Sequence, residues 1–285
     1  MSRIAYVNGR YLPHARARVH VEDRGYQFSD GVYEVCEIHQ GHLVDLSGHM
    51  ARLDRSLREL RIGWPVHADV LPGIMSEVVR RNKVRDGIVY VQVTRGVARR
   101  DHPFPVNARP ALIVTAKSMS RPGGEAKRDR GARIVTVPDT RWQRVDIKTV
   151  GLLPNVLARQ QALDAGHDDA WFVGTDGIVR EGTSTNAWIV RDGAIVTRPA
   201  ESGILRGITR TTVMKIAGEL GMTVEERGFT VEEAQSADEA FSTAASTLVM
   251  PVIAIDDVEI GSGRPGPVTA ALRKAFHDVA ERTAA

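Results

Sequence analysis

A chain of 285 residues is long enough for two domains that each bury a core, and 42% hydrophobic with 26% charged residues is the balance of a soluble globular protein. No apolar run approaches the ~18 residues of a membrane span, the N-terminal stretch lacks the apolar core of a signal peptide, and the single cysteine, Cys36, excludes an internal disulfide. A cytoplasmic protein without a membrane partner is expected, and none with nucleic acid either, because the 38 Lys and Arg are interspersed with 35 Asp and Glu rather than clustered.

Ile4 to Val7 and Tyr11 alternate around Asn8-Gly9, a pair that supplies the positive φ angles of a hairpin turn. A second hairpin runs from Gly31 to His39, turns at Gln40-Gly41 and continues from Leu43 to Leu46. Apolar residues at helical spacing (Met50, Leu53, Leu57, Leu60, Ile62) predict a helix between Gly48 and Ile62, and a second is predicted over Ala68 to Asn82. Strands follow at Gly87 to Thr94 and Ala111 to Ala116. The Pro, Gly and Ser of residues 118–124 read as a linker, dividing a small N-terminal domain (1–117) from a larger one (125–285). In the larger domain we expect a strand at Arg133 to Val137, a helix at Leu153 to Ala165, and a strand pair within Ala170 to Val190 that turns at Asp176-Gly177. A helix at Thr209 to Leu220, strands at Glu239 to Thr243 and Pro251 to Ile255, and a closing helix from Gly266 to Thr283 complete the chain. Hairpins and helices mixed in both halves argue for α+β domains rather than a doubly wound sheet, and neither GxGxxG nor GxxxxGK occurs.

An amine nucleophile needs a setting in which its ammonium loses a proton cheaply. Of the six lysines, only Lys148 lies in an apolar context, Asp-Ile-Lys-Thr-Val-Gly-Leu-Leu, read as the end of a strand before a helix; a surface lysine is the alternative. The segment Arg180-Glu-Gly-Thr-Ser-Thr-Asn186 is either an ordinary polar turn or one carboxylate, Glu181, placed to keep a heterocyclic nitrogen protonated. Ser202 to Arg210 opens a helix through glycines, which suits an anion at its N-terminus, or else Thr209 simply caps that helix. Ser242-Thr-Ala-Ala-Ser246 is a second small-residue turn with the same potential.

Six stretches in this order are specific together: Arg24-Gly-Tyr-Gln-Phe-Ser-Asp-Gly-Val-Tyr-Glu34, His49-Met-Ala-Arg-Leu53, Tyr90-Val-Gln-Val-Thr-Arg-Gly96, Asp146-Ile-Lys148, Glu181-Gly-Thr-Ser-Thr-Asn186 and Leu205-Arg-Gly-Ile-Thr-Arg210. Through them the sequence resembles the class IV, fold type IV pyridoxal-phosphate aminotransferases, most closely the bacterial D-amino acid aminotransferases, over nearly the whole chain. The resemblance implies a two-domain α+β fold with pyridoxal 5'-phosphate at the domain interface, and a homodimer whose partner loops complete each site. It implies that Lys148 forms the Schiff base and shuttles the proton, that Glu181 pairs with the pyridine nitrogen, and that Arg52, Ile208, Thr209, Ala245 and Ser246 hold the phosphate, with Thr185 and Leu205 also at the cofactor. Ala245 departs from the threonine usual in the family, so Ser246 is the candidate replacement hydroxyl.

The loop Arg99-Arg-Asp-His-Pro-Phe-Pro105 supplies the family's Arg-x-His pair, here Arg100 and His102, which with Tyr33 would trap the α-carboxylate of a substrate amino acid. Exchanging carboxylate and side-chain positions inverts the accepted hand, so this trap implies D-amino acids and 2-keto acids as substrates. The alternatives are a branched-chain L-amino acid aminotransferase, an (R)-amine transaminase, an aminodeoxychorismate lyase using the same lysine for elimination and, most remotely, a basic binding module.

Overall fold

The computed structural model of the chain describes residues 3–119, 121–201 and 203–285, with the backbone alone at 121–125. It divides into two compact units, one of residues 1–120, 147–151 and 281–285, the other of residues 121–146 and 152–280. Two short stretches from the second half of the sequence, one of them carrying Lys148, thus belong to the first unit.

The first unit is built on a seven-stranded sheet in the order β16-β4-β3-β5-β6-β1-β2. Its strands are β1 (Ile4–Val7), β2 (Arg10–Pro13), β3 (Gly31–His39), β4 (His42–Val44), β5 (Gly87–Thr94), β6 (Ala111–Ser118) and β16 (Arg282–Ala284). Every pairing in it is antiparallel, as the two hairpin signals required. β3 and β5 bury alternate residues, so one face of the sheet is apolar. Against that face pack helix α2 (Leu46–Glu59), through Leu46, His49, Leu53, Ser56 and Leu57, and helix α3 (Leu71–Asn82), through Leu71, Ile74, Met75, Val78 and Val79. The i, i+3, i+4, i+7 spacing of these residues puts each set on one helical face. A single turn, α1 (Arg24–Phe28), precedes β3; Asp23 caps it by accepting from the Gly25 N–H.

The second unit carries a nine-stranded mixed sheet, ordered β12-β11-β10-β13-β14-β7-β8-β9, with β15 on β14. Its strands are β7 (Ala132–Pro138), β8 (Asp169–Val173), β9 (Val179–Gly182), β10 (Asn186–Arg191), β11 (Ala194–Thr197), β12 (Thr223–Glu226), β13 (Glu239–Ala244), β14 (Leu248–Ile255) and β15 (Val258–Glu259). Asn186 of β10 also pairs with Glu181 of β9, which closes the path from β10 to β9 into a ring. The helices are α4 (Arg121–Arg130), α5 (Leu153–Asp164), α6 (Ile208–Glu219), α7 (Val231–Gln235) and α8 (Pro267–Val279). Trp171, Phe229, Ile189 and Ile255 lie at the centre of its core. Parallel pairs occur only at β7–β8, β7–β14 and β11–β12 among the described residues, so the α+β reading holds.

The residues read as a linker, 118–124, form the end of β6 and the start of α4, while Ser120 lies outside the described residues. The closing helix stops at Val279, and Arg282–Ala284 pairs with β4 instead. Ladder hydrogen bonds to His42, Leu43 and Val44 overrule the helical preference of a terminal Ala/Arg run.

Candidate active site

Lys148 is not on a strand: it sits in an irregular segment stitched to the start of β3. The Tyr33 N–H donates to the Lys148 carbonyl at 3.0 Å and the Val150 N–H to the Gly31 carbonyl at 3.1 Å, while buried Ile147 anchors the segment in the first core. The side chain turns over the neighbouring strand residue, placing Nζ 4.3 Å from the centroid of the Tyr33 ring. Tyr33 in turn stacks on Tyr90 at 5.6 Å. A lysine whose backbone is tied on both sides and whose amine rests on a packed ring is aimed, not trailing in solvent.

Arg52 and His49, three residues apart on α2, both reach Glu34 of β3. The Arg52 Nε donates to Glu34 Oε1 and its Nη2 to Oε2, each at 2.8 Å, and His49 Nδ1 lies 2.7 Å from Oε2. Burial pushes the Glu34 carboxyl up, but the Arg52 charge and hydrogen bonds, with His49, outweigh it and bring its pKa down to about 2. A charged, bidentate anchor on one edge fixes the plane of the Arg52 guanidinium. Neither Glu34 nor His49 had been given a role from the sequence; the signal was present in Arg52 and His49 sharing a helix face.

In the second unit Glu181 is buried near the end of β9, held by donors that include Arg141, Asn186 and the Leu205 N–H. Arg141 Nη1 donates to Oε1 at 2.5 Å, Asn186 Nδ2 to Oε2 at 3.0 Å, and the Leu205 N–H to both oxygens at 3.2 and 3.1 Å. Burial disfavours the charge on Arg141, yet Asp139 and Glu181 together hold its pKa above the usual arginine value. Asn186 also donates to the Leu205 carbonyl at 2.9 Å, and a Cβ at Gly207 would collide with the Asn186 amide oxygen. Glycine at 207 thus lets the approach to α6 pass close to the Asn186 amide. Arg141, distant in sequence and in a segment without periodicity, was missed from the sequence.

Helix α6 begins with Gly207 as N-cap and no side-chain cap. Thr209, 5% exposed, lies inside the first turn rather than capping it; Ser202 lies outside the described residues. The backbone N–H groups of Ile208 and Thr209 therefore stand at the positive end of a twelve-residue helix, as anion binding requires. Ala245 and Ser246 follow β13 in the turn to β14. Ser246, Thr185 and Thr247 share a cleft of about 430 Å³ with Thr183, Ser184 and Ser242. Thr185 Oγ1 and Thr247 Oγ1 are buried there and find no hydrogen-bond partner among the described residues. The orphaned hydroxyl of Thr185, the buried carboxylate of Glu181 and the N–H groups at the uncapped start of α6 are together the kinds of polar group that a phosphorylated heterocycle needs. The ring nitrogen and the phosphate of pyridoxal phosphate fit these groups of the second unit.

Arg100 and His102 lie in the irregular loop after β5 and gather around a different ring. Arg100 Cζ is 4.9 Å from the Phe28 centroid, and the His102 ring 5.8 Å from it. Within one chain, then, the three residues expected at a substrate carboxylate fall into two groups, Tyr33 with Lys148 and Arg100 with His102.

A model of the amino-transferase class IV family matches residues 31–255. Among curated proteins the chain is 40% identical over 271 residues to the D-alanine aminotransferase of Bacillus licheniformis, covering 95% of each, and 36% identical over 277 residues to that of Staphylococcus haemolyticus, covering 97% of each. Among solved structures it superposes on the branched-chain amino acid aminotransferase of Escherichia coli with TM-score 0.91 at 25% identity, covering 98% of this chain and 95% of the other. The branched-chain enzyme of the archaeon Thermoproteus uzoniensis, solved with norvaline, gives TM-score 0.86 at 26% identity, covering 99% of each chain.

Proposed function

Because the chain belongs to the class IV aminotransferases, we propose that it moves an amino group between a D-amino acid of the alanine type and a 2-keto acid, with pyridoxal 5'-phosphate as cofactor, in two half-reactions at one site. The choice of hand rests on relatives named as D-alanine aminotransferases that align over at least 95% of both chains, together with the Arg100/His102 pair. The branched-chain enzymes are lower in identity despite their close superposition.

When bound, the cofactor supplies an aldehyde that takes up amines and a protonated ring that draws electrons from the substrate Cα. Lys148 would hold it through Nζ, and the same amine, when free, would carry a proton away from the substrate Cα. Glu181 holds a proton at the ring nitrogen; its own orientation is set by Arg141, Asn186 and the Leu205 N–H. Arg52, squared up by Glu34, binds the phosphate with the N–H groups of Ile208 and Thr209, the backbone of Ala245 and the hydroxyl of Ser246, while Thr185 and Leu205 line the ring. Arg100, His102 and Tyr33 bind the substrate carboxylate, with the Arg100 loop supplied by the second copy of a homodimer. The residues that read the carboxylate thereby set which enantiomer presents its Cα–H to Lys148.

The test is a set of half-reactions followed by absorbance with D-alanine, L-leucine and (R)-phenylethylamine. D-alanine is expected to convert the cofactor fastest. Faster conversion by L-leucine would assign the chain to branched-chain L-amino acids, and faster conversion by the amine would remove the carboxylate trap.

A further inference from the structure

The loop that carries Arg100 and His102 has no regular structure of its own, yet it is tied down at several points by α1 and the residues around it. Arg24, 3% exposed, donates from Nη1 to the Asp101 carbonyl at 2.6 Å and from Nη2 to the His102 carbonyl at 3.3 Å. Its Nε is anchored on Asp30 at 2.8 Å. Asp30 also receives Arg95, from Nε at 2.7 Å and Nη2 at 3.0 Å, and Arg95 lies 3.7 Å over the ring of Phe104 near the other end of the same loop. The Arg24 N–H donates to the Gly96 carbonyl and the Ala98 N–H to the Glu22 carbonyl, which fixes where the loop departs. Gly96, at φ +92°, packs against the Arg109 carbonyl so tightly that no side chain fits.

At the centre of this frame is one ring. Phe28 has Arg24 Cζ at 4.7 Å, Arg100 Cζ at 4.9 Å and the His102 ring at 5.8 Å. Cations are drawn to an aromatic face by its quadrupole, so the ring gives the long, flexible Arg100 side chain a resting place beside His102 that a solvated loop would not provide. Restricting a rotamer-rich side chain before the ligand arrives removes an entropy cost from binding.

We propose that Phe28 is a positioning residue for substrate recognition: its ring, with Arg24 clamping the loop carbonyls, holds Arg100 and His102 as a pair ready for the α-carboxylate. This rests on the carboxylate-trap reading given above. The contacts are all internal to one chain, so the device is the same whether its loop serves its own copy or a second one.

A double-mutant cycle tests it, using the holoenzyme with D-alanine and the variants Phe28→Leu, Phe28→Tyr, Arg100→Ala and the Phe28→Leu/Arg100→Ala pair. Leucine fills similar space without a π face, so Phe28→Leu is expected to raise the half-saturating D-alanine concentration about tenfold with the limiting rate unchanged. Phe28→Tyr should restore it, and Phe28→Leu should have no effect in the Arg100→Ala background, where the group it positions is gone. Equal effects of Phe28→Leu in both backgrounds, or a fall in limiting rate that Phe28→Tyr does not restore, would overturn the proposal and leave Phe28 a packing residue. If Arg100→Ala alone leaves half-saturation unchanged, the carboxylate trap itself fails and this inference with it. Should Phe28→Leu not fold, Arg24→Lys, which keeps the charge but loses the forked contact to the loop carbonyls, is measured in the same cycle and must show the same dependence on Arg100.

Discussion

The backbone N–H of Tyr33 donates to the carbonyl of Lys148 at 3.0 Å, and the amine of Lys148 turns back over the ring of that same tyrosine, 4.3 Å from its centroid. The residue proposed to do the chemistry and a residue proposed to read the substrate are thus fixed to each other by a main-chain hydrogen bond, and neither can shift without the other. Tyr33→Phe keeps the ring under the amine and removes only the hydroxyl. We expect it to raise the half-saturating concentration of D-alanine roughly tenfold, as for loss of one hydrogen bond to a charged group, with the cofactor spectrum unaltered. Steady-state kinetics beside absorbance spectra check this; a changed spectrum with unchanged half-saturation would place the hydroxyl at the cofactor instead.

Glu181→Gln retains the size of the side chain and an acceptor for Asn186 and the Leu205 N–H, but cannot hold a proton on a ring nitrogen. The expected result is a fall in limiting rate of roughly a hundredfold or more, with Asp139 still pairing Arg141 and the fold intact. Rapid-mixing half-reactions measure it. A loss confined to cofactor affinity would make Glu181 a purely structural anchor.

Glu34 links stability to pH. Its pKa is brought down to about 2 from the usual value of 4.5, so its ionised pairing with Arg52 and His49 stabilises the fold fully above pH 4.5, and that contribution is lost as the pH falls from 4.5 towards 2. By about pH 3 the wild type should have lost about 2 kcal/mol through this group relative to neutral pH, and Glu34→Gln should lack that component. Denaturant unfolding at about pH 6 and about pH 3 tests it, and identical acid losses in the two proteins would contradict it. Glu34→Gln should also weaken cofactor binding about tenfold, since Arg52 loses its orienting carboxylate; equilibrium dialysis of the cofactor measures that.

The sequence made the hairpins legible because Asn8-Gly9 and Gln40-Gly41 turn the chain only one way, and it made α2 and α3 legible through their apolar spacing. The strands β12, with the polar run Thr-Val-Glu-Glu, and β16, at the end of a helix-forming stretch, were not legible: both exist because a neighbouring strand offers them hydrogen bonds. Around the site, Lys148 and Glu181 stood out through their local motifs. Their settings did not, since the Arg141–Glu181 pair spans 40 residues and the Arg52–Glu34 pair 18, and an irregular segment such as that around Arg141 carries no periodic signal. The Asp30–Arg24–Arg95 frame was hidden in the same way, although both of its ends lie in motifs read from the sequence.

Most depends on Lys148 being the residue that holds the cofactor. Borohydride reduction of the holoenzyme followed by peptide mass spectrometry tests this directly. A single phosphopyridoxyl adduct is predicted, on the peptide containing Lys148, with its loss in Lys148→Ala; an adduct on one of the other five lysines, or none in enzyme saturated with pyridoxal phosphate, would contradict it.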